Sequence, residues 1–238
     1  MLATPFDEVD FQSWLSGSRE SAAVLVPLMM ETINPGSVVD VGCGLGAWLA
    51  VFLEHGVHDV LGLDGEWVDQ SALEIDAKQF QIADIREPLV VTRRFDLALC
   101  LEVGQLLDPS LASQLVRSLT ELSDIVVFSA AIPGQGGLGH VNEQWPTHWA
   151  DLFAERSYVA TDPFRLRIWE ELAVKWWFAQ NTICLVSKAV LPRIPAVERH
   201  VCASGSPLSL VHPGCLTALI ETHASTQRAK RSRLPWRG

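Results

Sequence analysis

The sequence contains no apolar run near the roughly 18 residues that a membrane-spanning helix needs, so no helical span is expected. Its opening, MLATPFDEVDFQSW, has neither a basic stretch nor an apolar core, so it does not read as a secretory signal, and a cytoplasmic location is expected. Cysteine is sparse and unpaired in pattern. The five residues Cys43, Cys100, Cys184, Cys202 and Cys215 are odd in number and include no CxxC pair. Neither a disulfide framework nor a zinc site is suggested by that pattern, and buried, reduced thiols are expected. No HxxxD-type cluster stands out, so no metal is expected. There is no internal repeat and no low-complexity block.

Charge is also scarce. Charged residues make up 19% of the 238 positions against 48% hydrophobic, which excludes global disorder and allows a sizeable core. The length suits one large α/β domain with additions. The net charge of −10 is unevenly spread. From Ala189 onward seven bases face two acids, whereas the preceding 188 residues carry 11 bases and 26 acids. So acidic a body argues against nucleic-acid binding. The basic end is read as a solvated tail, with contact to an anionic partner as the alternative.

What is present is a rhythm of short apolar runs and helical patterns. A helix is predicted over Arg19–Ile33, stopped by Asn34-Pro35-Gly36. Strands are predicted at 37–41, 59–64, 80–84, 95–100 and 124–130. Helices are predicted at Ala47–Glu54, near Glu66–Leu73 and at Pro109–Leu122. The first three strands are apolar on both faces, as parallel strands covered by helices should be. After a glycine-rich loop the pattern predicts a helix at Pro146–Glu155 and strands at 158–164 and 176–188. The segment between those two strands is too short for a helical crossover, so they should run antiparallel to each other. A mostly parallel sheet with one antiparallel strand near its edge follows. One more helix is expected within HPGCLTALIETHASTQRAK, and RSRLPWRG should fray.

The stretch SVVDVGCGLGAWLAVF carries the chemistry. Gly42, Gly44 and Gly46 lie between a strand and a helix, where the backbone must turn sharply or approach a ligand closely. The spacing satisfies a relaxed dinucleotide fingerprint, so NAD is not excluded by the glycines. Asp40, two residues before them, shifts the balance. A carboxylate repels a pyrophosphate and attracts a ligand with an amino or sulfonium cation. Asp64 ends the second strand, where an acid can accept both ribose hydroxyls. Asp84 ends the third, placed for an adenine amino group with the N–H of Ile85 beside it, and Glu102 follows the fourth. Each alone reads as an ordinary surface or capping acid; four at successive strand ends do not.

The run VVDVGCGLGAW, LGLDGEWV, FQIADIREPL and FDLALCLEV resembles the class I S-adenosylmethionine-dependent methyltransferases over roughly Val38–Lys188. The resemblance implies a Rossmann-like, doubly wound α/β fold, with a mostly parallel seven-stranded sheet of order 3-2-1-4-5-7-6, the last strand antiparallel, and helices on both faces. It implies S-adenosylmethionine as cofactor, with Asp40, Gly42, Gly44 and Gly46 at its methionine half, Asp64 at the ribose, Asp84 and Ile85 at the adenine, and Glu102 at the same edge. Residues 1–36 then form a helical extension, 37–188 the methyltransferase domain, and 189–238 a proline-containing linker, short helix and basic tail. Many relatives read LEVxEH after the fourth strand, where this chain has Gln105-Leu106, so any role of that histidine is missing.

Methyl transfer asks the protein to position a nucleophile and exclude water, with a base where the acceptor is a hydroxyl. His140, in GLGHVNEQW after the fifth strand, is the candidate base. The alternative is that His140, Asn142 and Glu143 cap the next helix. Trp145, Trp149, Trp169, Trp176 and Trp177 suggest either an aromatic acceptor pocket or core packing. The expected activity is methylation of a small molecule or glycan, most plausibly at oxygen. The rivals are a non-catalytic cofactor-binding partner subunit and a nicotinamide oxidoreductase. A second copy or a protein partner is expected to meet the C-terminal region.

Overall fold

Ser37–Val41 is apolar except at its first and fourth residues, and it forms the central strand, β1, with Val38, Val39 and Val41 fully buried. A computed structural model describes residues 8–202 and 208–232, with side chains for 17–202 and 208–224. In chain order the elements are α1 (Glu8–Thr32), β1 (Ser37–Val41), α2 (Ala47–Glu54), β2 (Asp59–Asp64), β3 (Phe80–Ile82), β4 (Leu97–Leu101), α3 (Ala112–Leu122), β5 (Ile125–Ser129), α4 (Pro146–Ala154), β6 (Tyr158–Thr161), α5 (Arg165–Ile168), α6 (Trp176–Asn181), β7 (Ile183–Ser187), α7 (Pro195–Glu198) and α8 (Pro213–Ser232). The sheet has the order β3-β2-β1-β4-β5-β7-β6. β1 pairs in parallel with β2 and β4, and β7 is antiparallel to both β5 and β6. Sequence and structure agree on this architecture.

The two faces of the sheet are sorted by the two-residue period of its strands. Val38, Leu97, Leu99 and Val127 pack with Leu25 and Met29 of α1, Leu49 and Phe52 of α2 and Phe178 of α6. Val39, Val41, Ala98, Cys100 and Phe128 pack with Leu115 and Leu119 of α3 and Trp149 and Phe153 of α4. Each fully buried aliphatic side chain contributes roughly 1.5–3 kcal/mol by leaving water. The five cysteines are free thiols, four of them buried.

Four local expectations are corrected. Residues 176–188 are not one strand: Trp176–Asn181 form α6, and β7 begins at Ile183. A short apolar run does not reveal its period, and here Phe178 and Ala179 are needed in the core against Trp48 while Gln180 and Asn181 turn toward polar partners. The helix expected near Glu66–Leu73 is a single 3-10 turn, Gln70–Ala72, capped by Asp69. α1 starts at Glu8 rather than Arg19, running through Gly17, where the backbone passes so close to Lys175 that a Cβ would overlap that side chain. The three residues 80–82, rather than 80–84, pair with β2 as β3.

The C-terminal region lies along the edge of the body. Val201 bridges Thr161 of β6, and Cys202 N–H donates to Ala160 O at 3.0 Å. α8 contains the helix expected from its sequence, and of the stretch expected to fray, residues 233–238 fall outside the described residues. Among the described residues no helix is long and apolar enough to cross a membrane.

Candidate functional site

The carboxyl ends of β1, β2 and β4 meet at one edge of the sheet, and the loop from Gly42 to Gly46 lies across it. The three glycines all have left-handed backbones, with φ of 80°, 54° and 84°. At Gly42 a Cβ would also overlap Val103 Cγ2, and at Gly46 it would meet Ile75 Cγ1 at 3.0 Å. Strain and overlap act together at Gly42. Gly42→Ala should therefore lower unfolding free energy by about 2 kcal/mol. Urea denaturation reads this directly, and an unchanged midpoint would show that the turn tolerates a side chain.

Asp40 points to the α1 and α2 side of the sheet, where Ser18 of α1, Gly42, Trp48 of α2 and Phe178 of α6 line a cleft with it. Its carboxylate is 2% exposed, and its Oδ2 has no hydrogen-bond partner. Burial, with Asp64 nearby, pushes its pKa to about 7. An ionised carboxylate left unpaired in this position is costly, and a cationic ligand removes the cost. The folded pKa stands above the unfolded one, so the native state holds a proton that the unfolded chain releases. Ligand-free stability from Asp40 is thus lost as pH rises from about 4 to about 7.

Asp64 ends β2 and binds the glycine loop. Its Oδ2 accepts from Gly44 N–H and its Oδ1 from Gly65 N–H, each at 2.7 Å, and the Trp67 side chain adds a further bond. Burial raises its pKa, and these donors oppose the rise. These three bonds occupy three of the four lone-pair sites, so one stays open to a hydroxyl group and a second opens where the Trp67 contact gives way. Trp67 and its contact with Asp64 were not legible beforehand; the signal was an indole three residues after a strand-ending acid.

Asp84 and Ile85 follow β3 at the outer side of the sheet. Asp84 is exposed and is forked by Arg86, whose Nε and Nη2 reach it at 2.8 and 2.7 Å, holding its pKa below the usual carboxylate range. An adenine amino group would share this carboxylate with the guanidinium.

Glu102 follows β4 with a φ of 58°, a left-handed backbone at a non-glycine residue. It is 6% exposed, and burial pushes its pKa to about 7 against hydrogen bonds from Asn181, Ser129 and Gln105. Gln105, noted in the sequence only as a departure, is a buried hub. Its Nε2 donates to Glu102 Oε2 at 3.1 Å, its Oε1 accepts from Ala131 N–H, and its backbone oxygen accepts from Val141 and Asn142 N–H. This last pair docks the glycine-rich loop after β5 against the turn after β4.

That loop carries His140. Its Nδ1 lies 2.9 Å from Glu143 Oε1, and Glu143 also accepts from Gly134 and Gly136 N–H at 2.8 and 2.7 Å. The helix-capping alternative is not what the structure shows: α4 begins at Pro146, its N-cap residue Trp145 has no side-chain cap, and Asn142 Nδ2 donates instead to Gly104 O at 3.3 Å. The tryptophans divide. Trp149 is buried against Phe128, with ring centroids 4.8 Å apart, and a Cβ at Gly104 would meet it at 2.8 Å. Trp145 is exposed and Trp169 stacks on His212. The aromatics at the cleft are Trp48 and Phe178, edge to face at 5.1 Å. Trp48 was visible two residues after Gly46, but no pattern tied it to Phe178. Among the described residues there is no group of three or more His, Cys, Asp or Glu placed to hold a metal ion.

The family described as "Methyltransferase domain" matches residues 15–187. The chain belongs to this family and is an S-adenosylmethionine-dependent methyltransferase of class I. No curated protein matches the sequence. Solved structures share the fold at low identity. Magnesium protoporphyrin IX methyltransferase (ChlM) from Synechocystis PCC 6803, with bound SAH, is 15% identical with a TM-score of 0.52, over 78% of this chain and 90% of its own. The O-methyltransferase NcsB1 from neocarzinostatin biosynthesis, in complex with S-adenosylmethionine and 2-hydroxy-5-methyl naphthoic acid, is 18% identical with a TM-score of 0.53, over 77% of this chain. This chain spans only 58% of the NcsB1 length. The methyltransferase domain of bacterial CtHen1-C is 16% identical with a TM-score of 0.51, over 71% and 97%.

The residues present fit the cofactor. The unpartnered Asp40 oxygen calls for a cation in the cleft, and the Gly42 turn leaves no room for a side chain. A dinucleotide would set its pyrophosphate beside that carboxylate, which argues against the nicotinamide reading.

Proposed function

We propose that this protein transfers a methyl group to a hydroxyl oxygen of a small molecule or glycan, with His140 as the base. The His140–Glu143 pair carries this reading: Glu143 is fixed by two backbone N–H groups and holds Nδ1 at 2.9 Å, which leaves Nε2 as the basic nitrogen. S-adenosylmethionine supplies the electrophilic methyl carbon. His140 Nε2 would take the hydroxyl proton of the acceptor, and Glu143 would stabilise the resulting imidazolium.

In this reading Asp40 with Gly42, Gly44 and Gly46 holds the methionine half, Asp64 the ribose and Asp84 with Ile85 the adenine, while Glu102 sits at the boundary between cofactor and acceptor. The catalytic unit comprises residues 37–188, with 1–36 as the extension that covers the cleft through Ser18. The small-molecule reading is supported by NcsB1, a solved O-methyltransferase structure that shares the fold and is in complex with 2-hydroxy-5-methyl naphthoic acid.

The test is transfer of label from methyl-tritiated S-adenosylmethionine to a panel of phenols, hydroxy acids and sugars. Labelled ether or ester product supports the reading. Tight cofactor binding with no product across the panel would favour the non-catalytic partner subunit instead.

A further inference from the structure

Glu102 is held by a chain of carboxamides that ends outside the family match. Asn181 Nδ2 donates to Glu102 Oε1 at 3.2 Å. Asn181 Oδ1 accepts from Gln180 Nε2 at 2.9 Å, and Gln180 Oε1 accepts from the backbone N–H of His212 at 2.9 Å. Gln135 Oε1 joins from the glycine loop, accepting from both Gln180 Nε2 and Asn181 Nδ2 at 3.1 Å and from Ile132 N–H at 3.2 Å. Gln180 and Asn181 are 0% and 1% exposed.

A carboxamide can be turned end for end, exchanging donor for acceptor. A backbone N–H only donates. His212 N–H therefore forces Gln180 Oε1 toward itself, which turns Gln180 Nε2 toward Asn181 Oδ1 and Asn181 Nδ2 toward Glu102. Ile132 N–H fixes Gln135 in the same sense. Without these two termini, Asn181 is free to turn and accept from a protonated Glu102 instead of donating to its carboxylate.

The segment that supplies His212 is tied down independently. Arg165, 1% exposed and paired with Asp162 at 2.8 Å, donates through Nη1 to Leu208 O at 2.7 Å and to Gln180 O at 3.2 Å. His212 Nε2 contacts Trp169 O at 2.7 Å, and Gly214 passes so close to Trp176 that a Cβ would meet its ring at 2.8 Å. A left-handed, buried glutamate persists only where its surroundings over-determine it.

We propose that Gln180 is a positioning residue through which the segment 208–215 orients Asn181 on Glu102, so that this C-terminal strap is a working part of the cofactor site. The proposal rests on the reading that Glu102 faces the cofactor. The strap lies beyond the family match, which ends at residue 187.

The test uses the full chain and measures two quantities for each variant, the Kd for S-adenosylhomocysteine by calorimetry and Tm by scanning fluorimetry. Glu102→Gln tests the underlying reading and is expected to weaken binding about tenfold. Gln180→Leu removes the relay. His212→Pro removes the backbone donor and the imidazole and adds proline's backbone restriction, and His212→Ala removes the imidazole but keeps that donor. Gln180→Leu and His212→Pro should each weaken binding five- to tenfold, with His212→Ala within twofold of wild type. If Gln180→Leu does not fold, the His212 pair carries the test. Lower Tm with unchanged Kd in Gln180→Leu and His212→Pro, while Glu102→Gln does weaken binding, would overturn the proposal and leave a purely structural clamp. An unchanged Kd in Glu102→Gln would overturn the placement of Glu102 and the proposal with it.

Discussion

Replacing Asp64 by alanine should weaken binding of S-adenosylhomocysteine about a hundredfold while the circular-dichroism spectrum stays native. Two hydroxyls donating to one carboxylate form charge-assisted bonds worth roughly 1.5–3 kcal/mol each, and losing about 3 kcal/mol is a factor of a hundred or more in Kd. The fold should survive because burial raises the pKa of Asp64, so its charge is a burden on the ligand-free protein rather than a support. What the fold loses is the bonds from Gly44 and Gly65 N–H and from the Trp67 side chain, at the edge of the cleft, where water can replace the carboxylate. Calorimetric titration measures the effect. An affinity within threefold of wild type would refute the ribose assignment.

Replacing His140 by alanine should reduce turnover by a factor on the order of 10²–10³ and leave S-adenosylhomocysteine affinity unchanged. Val141 and Asn142, beside His140, donate to the Gln105 backbone oxygen, and Gln105 donates to Glu102; in the proposed reading this sets His140 on the acceptor side of the edge. Glu143 is needed by the glycine loop whether or not His140 is present, since it accepts from Gly134 and Gly136 N–H. The loop should therefore keep its shape in the variant, and the loss can be read as chemistry. Single-turnover kinetics with an acceptor found in the labelled panel checks this. Full turnover in His140→Ala would reduce His140 to a brace for the loop and remove general base catalysis from the proposed reaction.

The sheet and the glycine loop were legible because they are written locally. Val38–Val41 is apolar on both faces, Gly42, Gly44 and Gly46 need left-handed backbones, and Asp64 ends its strand where the hydrophobic run stops. The antiparallel β6–β7 pairing was expected and is observed, but its premise fails: the connection, residues 162–182, carries α5 and α6 and is long enough to cross over. α6 was hidden because Trp176-Trp177-Phe178 is apolar without a visible period, and only the position of Trp48 decides that this stretch coils. The Arg86 fork on Asp84 depends on rotamers that spacing does not fix. The roles of Gln105, Gln135, Gln180 and Asn181 depend on four segments far apart in sequence. A neutral carboxamide gives no hint of its partner until the fold brings donor and acceptor together. Glu102 was singled out as a strand-end acid, but its left-handed backbone was not.

The central physical claim is that the cleft at Asp40 is completed by a ligand's positive charge. Calorimetric titration of S-adenosylmethionine at pH 5.5 and pH 7.5, on wild type and Asp40→Asn, tests it most directly. With the Asp40 pKa at about 7 in the free protein and lowered by a bound cation, wild-type affinity should rise on the order of tenfold between these pH values, with protons released on binding. Asp40→Asn should bind more weakly at pH 7.5 and lose most of the dependence, Glu102 being the remaining buried acid that titrates in this range. Wild-type affinity that is flat with pH and equal to that of Asp40→Asn would contradict the account.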